Sequence, residues 1–319
     1  EEILIEKSAT GRSAWIRLFD ETSAALRFPF KKKSLTEAEI LNLLSDPDSE
    51  TRKLAGKSLS EILKNNKRIF GMILNVISRD RFIEDNKRGF KRIMSSRNLD
   101  NDVEDEVVDK LVKTVDKAMP ELTHRYYKWK ANQFGQTKLD WWDRNAPLPQ
   151  SSEKLIQWSE ARDIILESFS SFHPEISNLA KLFFKNNWID ASLRKGKASG
   201  AFAHPSVPSL HPYILVNYQG KIRDVMTLAH ELGHGVHQIL AGKNGLLMAE
   251  TPLTLAETAS VFGEMLVFRK LLDKSPIEQK KQLLSGKIED MLNTVARQIG
   301  FHQFEVQFHE ARIKSELTP

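Results

Sequence analysis

Two histidines four positions apart, His230 and His234, enclose Glu231 in an apolar segment at residues 227–237. On an α-helix, residues four apart lie on the same face, so both imidazoles can bind a single metal ion. Glu231 directly follows the first histidine, where its carboxylate can act as a general base toward water at that ion. The motif His-Glu-x-x-His therefore predicts a hydrolytic metal centre on a helix.

A third metal ligand is expected, because catalytic zinc usually has three protein ligands and one open position. The chain has no cysteine, so this ligand must be a carboxylate or another histidine. Three glutamates follow at intervals of seven residues: Glu250, Glu257 and Glu264. Pro252 predicts a helix start that leaves Glu250 in the preceding loop. Small residues around Glu257 would let two helices approach closely, which favours Glu257 as the ligand. Glu264 is a candidate for orienting a ligand imidazole.

A β-rich run between Pro212 and Gly220 is the clearest strand signal in the chain. We expect it either to support the metal helix as a core strand or to accept a substrate backbone at its edge. The candidates for substrate binding lie on this run or beside the Gly-rich segment before it: Tyr213, Leu215, Asn217, His204 and His211. His237 points away from the predicted ligand face, and we expect it to be packed or hydrogen-bonded instead.

Helical periodicity dominates the rest of the chain and must supply the framework for these side chains. Thr36 and Asp48 are typical N-caps, and each precedes a segment with apolar residues on one face. Further helical segments are predicted at residues 66–80, 101–117, 120–133, 152–172, 173–187 and 276–315. A break rich in Gly, Ser and Pro covers residues 195–220. The sequence thus predicts a mainly α protein with a small β-sheet beside the metal helix.

Composition restricts the remaining function classes. Of 319 residues, 40% are hydrophobic and 28% charged, as in ordinary globular proteins. No run approaches twenty apolar residues, and the first residues lack a secretory pattern, so we expect no membrane span and a cytoplasmic location. The net charge is +5, but the one tight basic run, Lys31–Lys33, lies in a predicted loop without aromatic residues between the lysines. We therefore expect no nucleic-acid partner and keep that class as a remote alternative.

The metal motif and its surroundings resemble a known family. His230 to His234, followed by residues 256–260 and Glu264, resemble the zinc endopeptidases of the M3 family and most closely their oligoendopeptidase F branch. Three upstream blocks are similar to the same branch, at residues 188–190, 196–202 and 212–217. Residues 8–20 resemble its N-terminal lobe. The resemblance covers most of the chain.

This resemblance implies a zincin, a mainly helical peptidase with a thermolysin-like zinc site and a deep, narrow substrate channel. It implies cleavage of internal bonds in short, unstructured oligopeptides, since only these can enter such a channel. Carried over residue by residue, His230, His234 and Glu257 match the ligands of one zinc ion, and Glu231 matches the general base. Residues 1–65 would form part of an N-terminal helical lobe, and residues 66–319 the catalytic domain.

One departure from the family concerns a Tyr-rich segment with a histidine, which follows the zinc helices and stabilises the developing oxyanion. This chain has four tyrosines, none after Tyr218, and ends at Pro319. We therefore expect a central portion of a larger protein, or a shortened member, without the C-terminal part of the catalytic domain. Two alternatives stay open: a zinc carboxypeptidase or dipeptidase on a related helical scaffold, and a non-catalytic helical binding module with an incomplete site. No sequence signal indicates the oligomeric state.

Overall fold

The computed structural model describes residues 1–149 and 155–319. Helices make up 70% of the described residues and the sheets are small, which confirms the predicted mainly α fold. The chain divides into two compact units. Unit 1 comprises Glu1–Gln150 with Ser285–Pro319, and unit 2 comprises Ser151–Leu284. The predicted domain boundary between residues 65 and 66 stays a prediction.

Unit 1 is built mainly from helices. In chain order they are α1 (Glu2–Ser8), α2 (Arg12–Ala25), α3 (Glu37–Asn42), α4 (Ser49–Arg88), α5 (Ser95–Asp100), α6 (Asp105–Met119) and α7 (Arg125–Gln133). The two predicted N-caps are confirmed: Thr36 forms a capping box with Glu39 before α3, and Asp48 accepts the backbone N–H of Thr51 at the start of α4. The predicted segment 66–80 lies inside α4, and a π-helical turn at Pro120–His124 precedes α7.

Two of the three lysines of the basic run, Lys31 and Lys32, lie in a turn, as predicted, but the strands on either side of the turn were not predicted. Strands β1 (Phe28–Phe30) and β2 (Lys33–Leu35) form an antiparallel hairpin, so Lys33 pairs with Phe30 rather than lying in a loop. The three-residue strands are too short to show sequence alternation. Burial of Phe28 with Ile40 of α3 and Ala55 of α4 holds the hairpin against these two helices.

Over its described residues, 155–284, unit 2 combines a three-stranded sheet with several helices. In chain order its elements are α8 (Trp158–Phe172), α9 (Pro174–Lys185), β3 (Ile189–Asp190), β4 (Phe202–His204), β5 (Tyr213–Leu215), α10 (Ile222–Gly242) and α11 (Leu253–Lys274). Residues 152–154 of the predicted helix 152–172 lie outside the described residues, and the described helix begins at Trp158. The core of the unit is formed by buried apolar residues from α8, α9, β5, α10 and α11.

The sheet of unit 2 has the order β3-β5-β4. β5 confirms the predicted strand over Tyr213–Leu215. It runs parallel to β3 and antiparallel to β4, with Ile214 opposite both Ile189 and Ala203. Because neighbours occupy both edges of β5, the hypothesis that a substrate backbone pairs with its edge is wrong. Its interior residue Ile214 is buried, as expected for a core strand.

The last helix, α12 (Ile277–Lys314), contributes most of its length to unit 1 and agrees with the predicted segment 276–315. Across the described part of the chain, no helix combines the length and the apolar character needed to cross a membrane.

Candidate metal centre

Helix α10 presents the His-Glu-x-x-His motif. Before its first turn, the backbone N–H groups of Gln219 and Lys221 donate to the Asp224 carboxylate at 2.9 and 3.0 Å, which fixes the helix start. One face of α10 is embedded in the core of unit 2 through buried apolar residues: Val225, Leu228, Leu232 and Val236. His230 and His234 lie on another face and are only partly buried, so their imidazoles are accessible to a ligand.

Helix α11 carries the glutamates that follow the motif. As predicted, the helix begins directly after Pro252, and Glu250 lies in the segment before it. The approach of α11 to α10 depends on Gly233. A Cβ atom there would lie 2.7 Å from the Ala259 carbonyl oxygen and 2.8 Å from the Ser260 Cα. Only glycine fits at that distance, so the close crossing of the two helices depends on this residue.

Glu257 and the two histidines converge on one point. The Glu257 Oε2 atom lies 3.2 Å from His230 Nε2 and 3.5 Å from His234 Nε2. The two imidazole rings are 4.9 Å apart between centroids, with an angle of 83° between their planes. One candidate ligand atom from each of the three residues lies within 4.8 Å of the others. Within the described residues, this group of three has the geometry of a metal site.

The donor atoms fit a zinc ion. Ligand atoms about 2.0–2.1 Å from a tetrahedral zinc lie roughly 3.3 Å from each other, close to the two distances measured from Glu257. Two imidazole nitrogens and one carboxylate oxygen are also a donor set that catalytic zinc sites use, with the fourth position left open. With no cysteine in the chain, the set contains no competing thiolate.

Glu264 lies behind the first histidine. Its Oε2 atom is 3.4 Å from His230 Nδ1, so an N–H at Nδ1 can donate to it and leave Nε2 as the free lone pair. Burial acts to lower the pKa of His230, but the bond to Glu264 and the charges of Glu231 and Glu257 outweigh it, and the pKa is raised. Burial lowers the pKa of His234, which favours the neutral form that binds metals.

Glu231 is 6% exposed, although its carboxyl belongs to the predicted catalytic machinery. Burial raises the pKa of Glu231 to about 7; the positive charge of His230 opposes this shift and the negative charge of Glu257 adds to it. A carboxyl with a pKa near neutrality can both accept and return a proton, which is what a general base in hydrolysis must do.

The predicted substrate-binding residues lie on β4, β5 and the loops around them. The His211 ring stacks on Trp188, with centroids 3.8 Å apart, and also contacts Tyr213. His204 Nδ1 accepts the backbone N–H of Ser206, and the Asn217 amide donates to two carbonyls of the Gly-rich segment. Leu215 pairs with Phe202 of β4. These contacts are intramolecular, and a role in substrate binding stays a prediction.

Two further residues beside the motif were missed from the sequence. Gln238, one turn after His234, donates its side-chain amide to the Ala203 carbonyl of β4 at 3.1 Å. Ser260 donates its hydroxyl to Glu257 Oε2 at 2.8 Å. Both follow a predicted ligand at helical spacing, and this spacing is the signal that could have identified them.

Comparison with known proteins places these motifs in a family. The sequence model of peptidase family M3 matches residues 42–318. Oligopeptidase PepF of Bacillus subtilis is 29% identical over 294 residues, which cover 90% of this chain and 43% of that protein. An oligoendopeptidase F homolog of Borreliella burgdorferi is 30% identical over 301 residues, which cover 92% of this chain and 50% of that protein. The chain spans about half the length of these curated relatives.

Solved structures share the fold. Pz peptidase A with inhibitor 2 superimposes with a TM-score of 0.83 at 18% identity, over 91% of this chain and 52% of that chain. Oligoendopeptidase F from Enterococcus faecium superimposes with a TM-score of 0.59 at 20% identity, over 94% and 49% of the two chains. At these identities the likeness concerns the fold alone.

Proposed function

The chain belongs to peptidase family M3, and from this premise we propose that it carries the zinc centre of a metalloendopeptidase that hydrolyses internal bonds of short, unstructured oligopeptides. The observation that carries the proposal is the convergence of His230, His234 and Glu257, with Glu231 on the same helix as the two histidines. The names of the relatives, oligopeptidase and oligoendopeptidase, support the substrate class.

The metal ligands would be the Nε2 atoms of His230 and His234 and the Oε2 atom of Glu257. A zinc ion, when bound there, would act as a Lewis acid that lowers the pKa of bound water and polarises a peptide carbonyl. Glu264 keeps the His230 ring in one orientation by accepting a hydrogen bond from Nδ1, which leaves Nε2 unprotonated as a ligand must be.

Glu231 would move the proton. Its carboxylate accepts a proton from the attacking water as the water oxygen bonds to the scissile carbonyl carbon. The same carboxyl then gives that proton to the leaving amine nitrogen as the carbon–nitrogen bond breaks. Atoms and charges balance, because one water is consumed and the peptide is released as an acid and an amine.

We also propose the cytoplasm as the location of the protein, on composition alone.

The test is cleavage of an internally quenched, end-blocked peptide of about ten residues by the full chain with added zinc. Glu231→Gln should retain zinc and lower the cleavage rate about a hundred- to ten-thousand-fold, because one proton-transfer group is lost. Glu250→Gln is the matched control, since Glu250 is exposed and precedes α11. A metal chelator should stop cleavage by the wild-type chain.

Each other outcome has a specific meaning. Unchanged cleavage by Glu231→Gln would remove Glu231 from the mechanism. Products that lack only terminal residues, found when an unblocked peptide is supplied, would favour the carboxypeptidase or dipeptidase alternative. Zinc uptake without any cleavage would favour a binding module whose site is incomplete.

A further inference from the structure

We propose that Ser260 is a positioning residue, whose hydroxyl fixes the Glu257 carboxylate in the orientation that binds the metal. The inference rests on the proposed function, because it assigns a task toward the same zinc centre. Ser260 does not reach the reacting atoms in this assignment and acts only through Glu257.

The contact itself is specific. Ser260 is fully buried, at 0% exposure, and its single hydroxyl hydrogen has two acceptors within reach: Glu257 Oε2 at 2.8 Å and the Glu257 carbonyl oxygen at 3.0 Å. Oε2 is the same atom that lies closest to both histidine Nε2 atoms. A carboxylate oxygen has two lone-pair directions, so one can accept the hydroxyl while the other faces the imidazoles.

Glu257 needs such a restraint. Its side chain is 53% exposed. A long side chain that is half exposed has several staggered rotamers open to it unless a bond selects one. Ordering it only when the metal arrives would cost conformational entropy and weaken binding. A bond to a fixed hydroxyl orders the carboxylate beforehand, in the way that outer partners orient the ligands of other metal sites.

Ser260 is itself held in place by the helix crossing. Its Cα lies where a Cβ on Gly233 would approach to 2.8 Å, so α10 packs directly against this turn of α11. The crossing therefore fixes the position of the hydroxyl relative to the helix that carries both histidines. Through its hydrogen bond, the hydroxyl holds the Glu257 carboxylate in a fixed position relative to the same helix.

A buried serine on a helix often bonds only to a backbone carbonyl of the preceding turn. Ser168 in α8 is such a case, because it is buried and its hydroxyl donates to the Ile164 carbonyl at 2.7 Å. Ser260 differs by the additional bond to a side-chain carboxylate. Ser168→Ala is therefore the matched control for the loss of a buried helical hydroxyl.

The experiment measures zinc affinity by competition with a chromogenic chelator, together with the unfolding temperature of the metal-free chain. Ser260→Ala should bind zinc about 10- to 100-fold more weakly than the wild-type chain. Ser168→Ala should keep the wild-type affinity. The two variants should lower the unfolding temperature of the metal-free protein by similar amounts, because each loses one buried hydroxyl.

A double-mutant cycle separates positioning from packing. In a Glu257→Gln background, Ser260→Ala should weaken zinc binding no further, because the group that it orients is gone. The inference is overturned by equal affinity of Ser260→Ala and wild type, by an equal loss in both backgrounds, or by failure of Ser260→Ala to fold where Ser168→Ala folds. A wild-type chain that takes up no zinc would instead overturn the metal centre, and the inference with it.

Discussion

The buried polar groups of unit 1 and the candidate metal centre of unit 2 are built in opposite ways. In unit 1, the ammonium group of Lys130, at 1% exposure, donates to Glu289 and to the Arg144 carbonyl, and the Tyr126 hydroxyl donates to the same glutamate. In unit 2, one candidate ligand atom from each of two imidazoles and one carboxylate lies within 4.8 Å of the others. The first cluster pairs donors with acceptors, and the second concentrates acceptors that a cation can satisfy.

A second buried pair in unit 1 follows the first pattern. Arg52 and Asp143 are both almost fully buried, and the guanidinium donates to the Asp143 carboxylate and to the carbonyl oxygens of Asp46 and Pro47. A buried charge whose donors all have acceptors stabilises one arrangement of the chain. The comparison shows that burial of charge alone does not identify a functional site. What distinguishes the candidate site is that, within the described part of the chain, three possible metal ligands converge without a lysine or arginine bonded to them.

Burial shifts pKa values in both units. Burial lowers the pKa of Lys130 and raises that of Glu289, while the bond between them opposes both shifts. At the metal centre, burial raises the pKa of Glu231 to about 7, and the neighbouring Glu257 charge adds to that shift. Burial therefore raises the pKa of a carboxyl in both units, so the direction of the shift alone does not separate the structural pair from the candidate catalytic group.

The largest expected effect is on unit 1. Lys130→Met should lower the free energy of unfolding by about 3–5 kcal/mol, because it leaves Glu289 buried without its cation. Zinc affinity should not change. Urea denaturation and a chelator competition assay measure the two quantities. Lys128→Met, at an exposed position on the same helix, is the control and should shift stability by less than about 0.5 kcal/mol. Equal losses of stability in Lys130→Met and Lys128→Met would contradict the structural role assigned to the buried pair of Lys130 and Glu289.

An intermediate effect is expected at the helix crossing of unit 2. Gly233→Ala should cost about 1–3 kcal/mol of unfolding free energy, because its Cβ would overlap the backbone of α11. Unlike Lys130→Met, it should also weaken zinc binding, since moving α11 moves Glu257. Gly242→Ala, on the same helix, is the control, because its Cβ would meet only Pro208 at an ordinary 3.7 Å. Lost stability with wild-type zinc affinity would contradict the coupling of crossing and site.

The smallest effect concerns a more exposed charge. Bonds from Arg194, and then from Lys197, lower the pKa of Asp190 to about 2, although its side chain is 36% exposed. The unfolded value is about 3.9. The lowered pKa therefore stabilises the fold above about pH 4, and this contribution is lost as the pH falls through about 2.

Asp190→Asn should remove less than about 1 kcal/mol at neutral pH, because solvent screens exposed pairs. Its stability difference from wild type should shrink as the pH falls from 5 to 2 in denaturation series. Asp163→Asn is the comparison variant, because it removes a carboxylate that pairs with Arg162 at an exposed position of α8. A difference that grows toward low pH would reverse the sign argued above.

Local features were predictable from the sequence because their causes are local. The capping residues Thr36 and Asp48 and the start of α11 after Pro252 are each decided by side chains within a few positions. The common face of His230 and His234 follows from helical geometry alone. The β-rich run was recognised as a strand for the same reason.

The errors concern partners that are distant in sequence. The central position of β5 depends on β3 and β4, which lie outside the run that predicted it. The hairpin at Lys31 depends on burial of Phe28 against α3 and α4, which no local pattern reports. The contact between Ser260 and Glu257 is an exception, because helical spacing makes the two residues neighbours, although it does not select the rotamer that joins them.

By itself, the sequence determined the motif, the helix on which it lies and the set of acidic residues from which a third ligand could come. Once that helix forms, backbone geometry places His230 and His234 on the same face. Only the tertiary structure decided that Glu257 Oε2 lies within 3.5 Å of both imidazoles. That distance is set by how closely two helices pack at Gly233, and packing depends on side chains far apart in the chain.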